Sequence, residues 1–523
     1  MAHPEGPSQT TIPLSFLRYD GGINTRYSTL SLEENEVYDM ENFHIEARGG
    51  LEKRKGYRFW YTGDSKTTYV INGLYYFKPT AAVVRSQNGA LHSNVGAGWV
   101  PLTGTLTIST NLNDLISFTT FKKTLFGTNG INIPFKWTGA GDAVIITQAI
   151  GATGNNITKA KVCVRHRERI ILGDVTTSEA GGTRYESRLW PSAVGSLDTW
   201  HSDFTDGKII DIDEGDGDSI TALVDVMGYL VVFKQNSLHR INDFGLSGVQ
   251  QRIKVANVGT PGPFSVSVVG NVVFFLDAVG QLWAYDAKGT NEDAVINISE
   301  RKLGKDTLDL INKTRLAQAH LWHDPVRNEL RCFLTEFGAT TTKLLWTLSL
   351  TSGGFGKLRY QDSMNISARY EDSNGNIRCL VGSNDGGVFL LDETEQDNGT
   401  SYNAHVVTRW LDFGDNSLIK GTRNMHIYGT VIDSQSLAIE HRTMLQGAGT
   451  NYSVTLDGPG ARLDAFTLDL STLGGTGESL AKLYIPSYSR WHQFKISQST
   501  NKGLRLIGFV LMVVIAGREQ DSA

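Results

Sequence analysis

The stretch Gly228-Tyr229-Leu230-Val231-Val232-Phe233-Lys234-Gln235-Asn236-Ser237-Leu238-His239-Arg240-Ile241 decides the fold class. Leu230 to Phe233 is a short β-branched and aromatic run, Gln235-Asn236-Ser237 supplies turn chemistry, and Leu238 and Ile241 resume the apolar side. The segment reads as a β-hairpin. Comparable units recur at Gly73-Leu74-Tyr75-Tyr76-Phe77, Thr124-Leu125-Phe126-Gly127, Arg169-Ile170-Ile171-Leu172-Gly173-Asp174 and Val272-Val273-Phe274-Phe275-Leu276-Asp277. Two more follow at Leu330-Arg331-Cys332-Phe333-Leu334 and Ile377-Arg378-Cys379-Leu380-Val381-Gly382. Their starts fall roughly 44 to 59 residues apart, close to the roughly 40–50 of four-stranded propeller blades. A hairpin of this kind cannot bury its apolar face alone, so the spacing predicts an all-β chain with a β-propeller of about six or seven blades. A run of unrelated β-sandwich strands is the alternative.

The bulk numbers agree with an all-β chain. The 523 residues leave room for two or three structural units at about 100–200 residues per domain, and 56 glycines suit many tight turns. A formal charge of −5 gives no global basic surface for gripping nucleic acid. Cys163, Cys332 and Cys379 each sit inside an apolar strand, without metal spacing and without a disulfide framework. The longest apolar run, Phe509 to Ala516, is far short of the 18 or more residues of a membrane span, and the first residues lack a secretion signal.

Along the chain, residues 1–17 read as an extended or mobile arm. In Leu30-Ser31-Leu32-Glu33-Glu34-Asn35-Glu36-Val37-Tyr38-Asp39-Met40-Glu41-Asn42-Phe43, Ser31 and Glu34 have capping-box spacing, which predicts a short helix. Lys53, Arg54, Lys55 and Arg58 offer a phosphate-binding patch, but the preferred reading is charge at the start of an edge strand, where it blunts unwanted pairing.

Gly21-Gly22-Ile23-Asn24-Thr25-Arg26, the acidic segment ending Glu41-Asn42-Phe43, Arg48-Gly49-Gly50-Leu51 and Lys53-Arg54-Lys55-Gly56-Tyr57 follow one another in an order that resembles the start of tail proteins from tailed bacteriophages. The resemblance rests on Gly21, Gly22, Asn24, Arg26, Asn42, Arg48, Gly49, Arg54, Gly56 and Tyr57. It continues at Asn129-Gly130 with Lys136-Trp137, at Trp190 to Trp200 with Pro191 where a serine is expected, and at Gly280-Gln281-Leu282-Trp283. It covers about residues 18–415 as spaced elements. Within those proteins the chain is most similar to the packaged-DNA stabilisation or tail nozzle proteins of short-tailed phages.

That resemblance implies a structural virion protein whose copies form a ring, hexameric by preference, below the portal or head-tail adaptor. Tail fibres or spikes would be neighbours, and double-stranded DNA would pass without sequence-specific binding. It implies no catalytic residue, no cofactor and no metal, with assembly in the host cytoplasm. The organisation expected is an N-terminal arm with a short helix over 1–60, a propeller over 61–400 and a β-sandwich over 401–523. Gly447 to Thr450 and Leu473 to Gly477 read as exposed loops there.

Several sites tempt. Asp211-Ile212-Asp213-Glu214-Gly215-Asp216-Gly217-Asp218 has the carboxylates for calcium, but position 12 is Ala222 where an EF-hand needs a bidentate acid, so a solvated turn is preferred. Ser352-Gly353-Gly354-Phe355-Gly356-Lys357 resembles a phosphate loop without its spacing and reads as a turn. His320 and His323 face opposite sides of a strand and are poor co-ligands. Trp190, Trp200, Trp283, Trp322 and Trp346 read as core residues before they read as base-stacking platforms. Two rivals to the nozzle are a distal tail adaptor or receptor-binding protein, and a glycan-cleaving enzyme with paired carboxylates.

Overall fold

The computed structural model describes residues 11–102, 104, 106–146, 149–150, 155–200, 209–242, 251–444, 449–458 and 478–518. The chain is all-β, with one α-helical turn at Lys305–Leu308 and short 3-10 segments among the described residues. The deciding hairpin forms as read: Tyr229–Lys234 pairs antiparallel with Leu238–Asn242, Leu230 opposite Ile241 and Phe233 opposite Leu238. Asp218 fixes the turn by accepting from the backbone N–H groups of Gln235 and Asn236.

Each of the seven apolar runs lies in a different sheet. Sheet I begins at Ile71–Phe77, sheet II at Ser117–Phe121, sheet III at Ala149–Ile150 and sheet IV at Ile220–Val226. Sheet V begins at Val266–Val269, sheet VI at His320–Asp324 and sheet VII at Ile366–Glu371. All are antiparallel meanders of four strands except sheet III, with five, and sheet VI, which runs on into a ten-stranded sheet. The fourth strand of sheet VII is Gly56–Phe59, which comes from far upstream and pairs with Val388–Thr394.

The apolar clusters lie between successive sheets. Phe77 and Val84 of sheet I pack with Leu125 and Phe135 of sheet II, and Phe126 of sheet II packs with Leu172 and Trp190 of sheet III. Ile171 meets Val232 across III and IV, Phe233 meets Phe275 across IV and V, and Phe274 joins Leu330 across V and VI. Phe333 packs with Val381 and Phe389 across VI and VII, and Leu380 and Val388 of VII pack with Ile71 and Val83 of I. The order of contacts is therefore cyclic, although no single sheet closes on itself. Trp190, Trp200, Trp322 and Trp346 are buried in these clusters, as is each cysteine; Trp283 is half-buried.

A further layer joins the two ends of the chain. Phe355–Arg359 of sheet VI pairs parallel with Gly22–Ile23, which pairs with Glu36–Glu41, and the sheet continues through Ala404–Thr408, His492–Gln498, Gln435–Thr443 and Thr450–Leu456. Facing it, Glu478–Ser489, Leu418–Val431, Leu504–Arg518, Leu51–Lys53, Phe43–Ile45 and Thr11–Phe16 form a six-stranded sheet. Strands from residues 401–523 thus pair with strands from residues 1–60 in both sheets. Met425, Ile427, Phe494, Phe509 and Leu511 are among the fully buried side chains of this layer.

Three expectations are corrected. The short helix at 31–43 is absent: Glu36–Glu41 is a strand, with Val37 and Met40 buried and Tyr38 exposed. Glu36, rather than Glu34, reaches back to the N–H of Glu33, and its other oxygen accepts from Asn24 and Lys302. Long-range pairing supersedes the local capping signal. Residues 11–16 are a strand against Leu504–Arg518, not a loose arm. The charges before Gly56 are not edge guards as a group, because Lys53 and Arg54 are fully buried; Arg58 alone is plainly exposed on the edge strand Gly56–Phe59. The loop predicted at Leu473 to Gly477 lies outside the described residues, as do Gly447 and Ala448 of the loop predicted at Gly447 to Thr450, whose last residue begins the strand Thr450–Leu456.

Between Gln435–Thr443 and His492–Gln498, His441 and His492 share a hydrogen bond of 2.9 Å, their rings stacked at 8°. Burial, then the neighbouring His492, pushes His441 down to about 3; burial pushes His492 down to about 4 against the Lys420 carbonyl that favours its charge. Both are neutral in the folded protein. The unfolded chain takes up these protons first, from about pH 6.5 downward, so stability is full above that value and falls as pH drops toward 4 and 3. Each proton contributes a slope of up to about 1.4 kcal/mol per pH unit. Urea unfolding between pH 7 and 4 should show this loss, and His441→Gln should flatten it.

Candidate functional site

Of the residues singled out at the N-terminus, Asn42, Arg54, Gly56 and Tyr57 converge on one place, the junction of sheets VI and VII with the added layer. Arg54 is its centre. Its Nη1 and Nη2 each donate at 2.7 Å to one oxygen of Asp397, Nη2 also donates to the Arg359 carbonyl, Nη1 to the Lys55 carbonyl, and Nε to Asn42 Oδ1 at 2.8 Å. All five donors of the guanidinium are thereby satisfied. Its plane lies between two rings, 4.1 Å from the Tyr360 centroid and 3.7 Å from that of Tyr402, whose hydroxyl donates to the Arg54 carbonyl. Burial opposes the charge of Arg54, yet Asp397 and the two phenols hold its pKa above the ordinary value. A planar, always-charged fork fits this slot; a lysine does not.

Asn42 adopts a left-handed conformation with φ 64°, from which its Oδ1 also accepts from the Arg359 N–H and its Nδ2 donates to the Asn403 carbonyl. Tyr57 is buried against Tyr360 and Phe389, its hydroxyl accepting from the Asp362 N–H. Gly56 is required by contact: a Cβ there would lie 1.9 Å from the Gln396 carbonyl oxygen. At Gly22, with φ 67°, a Cβ would meet the Phe355 backbone at 2.5 Å, which explains the glycine in the parallel pairing. Asn24 donates to Glu36 at 2.8 Å and accepts from the Arg26 N–H, so Arg26 takes part through its backbone. Gly21 and Gly49 make tight turns, and Arg48 is exposed and belongs to none of these contacts.

A second buried cluster lies alongside. Arg331 donates to Asp324 at 2.9 Å, Glu329 at 3.0 Å and Asp392 at 2.7 Å, while His44 bonds Glu329 at 2.8 Å. Burial works against the charge of Asp392, but Arg331 first, then His44 and Arg327, hold its carboxyl below the usual range. None of Asp397, Tyr360, Tyr402, Asn403, Arg331 or Asp392 was singled out from sequence. Asp397 is 343 residues from Arg54, inside Gln396-Asp397-Asn398-Gly399, which reads as an ordinary turn.

The other candidates are placed apart from this junction. The acidic loop after Asp211 already holds a cation of its own: the fully buried Lys234 Nζ bonds both oxygens of Asp216 at 2.7 Å and the Ile212 carbonyl at 2.8 Å. No group of three or more metal-ligating side chains occurs among the described residues. Gly353 makes a turn with φ 76° and Lys357 pairs with Asp39 and Glu41, so the phosphate-loop likeness ends in an ion pair. His320 is buried against Phe333 and pushed down to about 3 by burial. Burial raises the Cys163 thiol to about 12 and lifts Cys332 and Cys379 as well.

The chain matches no protein-family model, and no curated protein matches it. Among solved structures it is similar to the computationally designed Ika8 protein, with 12% identity and a TM-score of 0.35, over 63% of this chain and 98% of that one. Among the described residues no helix is long and apolar enough to cross a membrane.

The arrangement of Arg54 is that of a clasp. Arg54→Ala or Asp397→Ala strands one buried charge and should each lower the unfolding free energy by about 3–5 kcal/mol in denaturant titration. Replacing both, as Arg54→Met with Asp397→Leu, should cost less than the sum of the single changes. At the acidic loop, Lys234→Ala should lower the melting temperature, and added calcium should leave that of the unaltered chain unchanged.

Proposed function

We propose that sheets I to VII are the blades of a β-propeller and that the protein is a structural component of a phage tail, a nozzle or head-tail channel subunit working as a ring of copies. The observation that carries this reading is the cyclic order of shared cores, closed by Gly56–Phe59 in the last sheet. Five of the ten resembling N-terminal residues take part in that closure or in tying it down. Gly56 and Tyr57 enter sheet VII, Arg54 clasps it, and Asn42 and Gly22 tie it to the added layer. A resemblance carried by residues with one shared structural task supports a common architecture.

The task follows from the charge. Each phosphate that a conduit neutralises adds salt-sensitive affinity, which would hold the genome back. A chain of net charge −5, whose fully buried arginines Arg54 and Arg331 are both spent on internal carboxylates, suits passage rather than capture. The subunit would retain and then release double-stranded DNA beside a portal or adaptor, with fibres or spikes attached outside, and would perform no catalysis.

Electron microscopy of the purified protein at micromolar concentration tests this. An annulus with sixfold symmetry and a central hole is expected. A threefold particle would favour the receptor-binding alternative, sugars released from host polysaccharide would favour the glycan-cleaving one, and either would overturn the nozzle.

A further inference from the structure

The six-stranded sheet has two flanks of opposite character. Its outer strand Glu478–Ser489 pairs on one side with Leu418–Val431, and no described strand pairs with its other side. Along one face Leu480 is 50% exposed, Tyr484 63% and Tyr488 62%, with Lys482 in the same row. Tyr488 lies over Gly421, where a Cβ would meet its ring at 2.6 Å, so one side of the ring is seated and the other is open. Large apolar groups exposed in one contiguous row mark a contact surface, and tyrosine is an anchor favoured at the centre of such surfaces.

The far flank is the strand Thr11–Phe16 on Leu504–Arg518, three strand spacings away, about 14 Å. It borders an open groove of about 840 Å³ walled by Leu14, Phe16, Leu17, Leu411 and Phe413, with Glu33 and Glu34 exposed beside it. Arg18 in this groove is taken up by both oxygens of Asp20, and Arg409 lies half-buried in the wall. The two glutamates carry no ion pair among the described residues, and neither does Lys482 on the opposite flank. Both outer strands contain a proline, Pro486 and Pro13, which blunts backbone pairing. Contact at these flanks therefore runs through side chains.

We propose that the Leu480–Tyr484–Tyr488 row of one copy seats in the groove beside Thr11–Phe16 of a second copy, with Lys482 facing Glu33 and Glu34. An apolar row meets an apolar groove, and Lys482 is opposite in sign to the exposed Glu33 and Glu34, while Arg409, for which no ion pair is found among the described residues, lies half-buried in the wall. Because row and groove are different patches, the contact is head-to-tail, so it closes into a ring or extends as a filament. Only the closure into a ring rests on the function proposed above; the contact stands on its own observations.

The test joins light scattering, electron microscopy and disulfide trapping on the full chain. Tyr484→Glu should reduce the assembly to monomers with its melting temperature kept within about 2 °C, since the side chain is exposed. The double variant Tyr484→Cys with Leu17→Cys should give a ladder of intermolecular disulfides under mild oxidation, while either single variant gives none. The native cysteines are buried and silent. If the unaltered chain forms an annulus but Tyr484→Glu does too and the double variant does not cross-link, the interface is overturned and the nozzle reading stands. If the double variant cross-links into open filaments only, the interface stands and the nozzle reading falls. An unaltered chain that is monomeric at micromolar concentration overturns both.

Discussion

The pairing of Arg54 with Asp397 is the constraint on which the rest of the fold depends. An arginine removed from water is costly, and the cost is offset only when every N–H finds an acceptor and the charge finds its opposite. Here the five acceptor atoms come from four residues: Asn42 and Lys55 near the start, Arg359 at the end of the fourth strand of sheet VI, and Asp397, with both oxygens, beyond sheet VII. The aromatic slab on one face belongs to Tyr360 and on the other to Tyr402, which leads into Ala404–Thr408. One side chain thereby holds the first segment, two sheets and the added layer in a single arrangement. Geometry enforces the same result at Gly56, where no side chain fits beneath Gln396.

The seven sheets need such a device because their cores lie between them. Phe233 and Phe275, 5.0 Å apart, belong to different sheets, as do Phe77 and Trp137 at 5.3 Å. A sheet removed from the series would expose half of two clusters, so neighbours stabilise one another as in repeat arrays. An array with free ends would leave Ile71 and Val83 bare at one end and Leu380 and Val388 at the other; the shared cluster of sheets VII and I removes both ends at once. The clasp holds the neighbouring junction, that of sheets VI and VII.

Local patterns in the sequence were legible where they answered to local physics. Leu230 to Phe233 and the six similar runs alternate or cluster β-branched and aromatic residues before turn formers, and each is a strand in a separate sheet. The buried cysteines and four of the five tryptophans followed from the same reasoning. The failures share one cause, a partner distant in sequence. Ser31 and Glu34 had the spacing of a helix start, but Glu36–Glu41 is held extended by Gly22–Ile23 on one side and Ala404–Thr408 on the other. Arg54 looked like one of four surface charges because its carboxylate lies far downstream. Lys234 sat unremarked within an apolar run, although it is the cation that the acidic loop encloses. The motif residues were picked out by resemblance, whereas the groups that complete their contacts carried no pattern of their own.

The upstream origin of the strand Gly56–Phe59 has a consequence for biosynthesis. Arg54 leaves the ribosome 343 residues ahead of Asp397, an interval of roughly 20–70 s at 5–20 residues per second. Throughout that time Tyr57 and the guanidinium wait without their partners, open to misassociation and to chaperones, and the nascent chain cannot lock. Completion of the fold therefore waits for the synthesis of Asp397, and a product terminated before that residue lacks the seal.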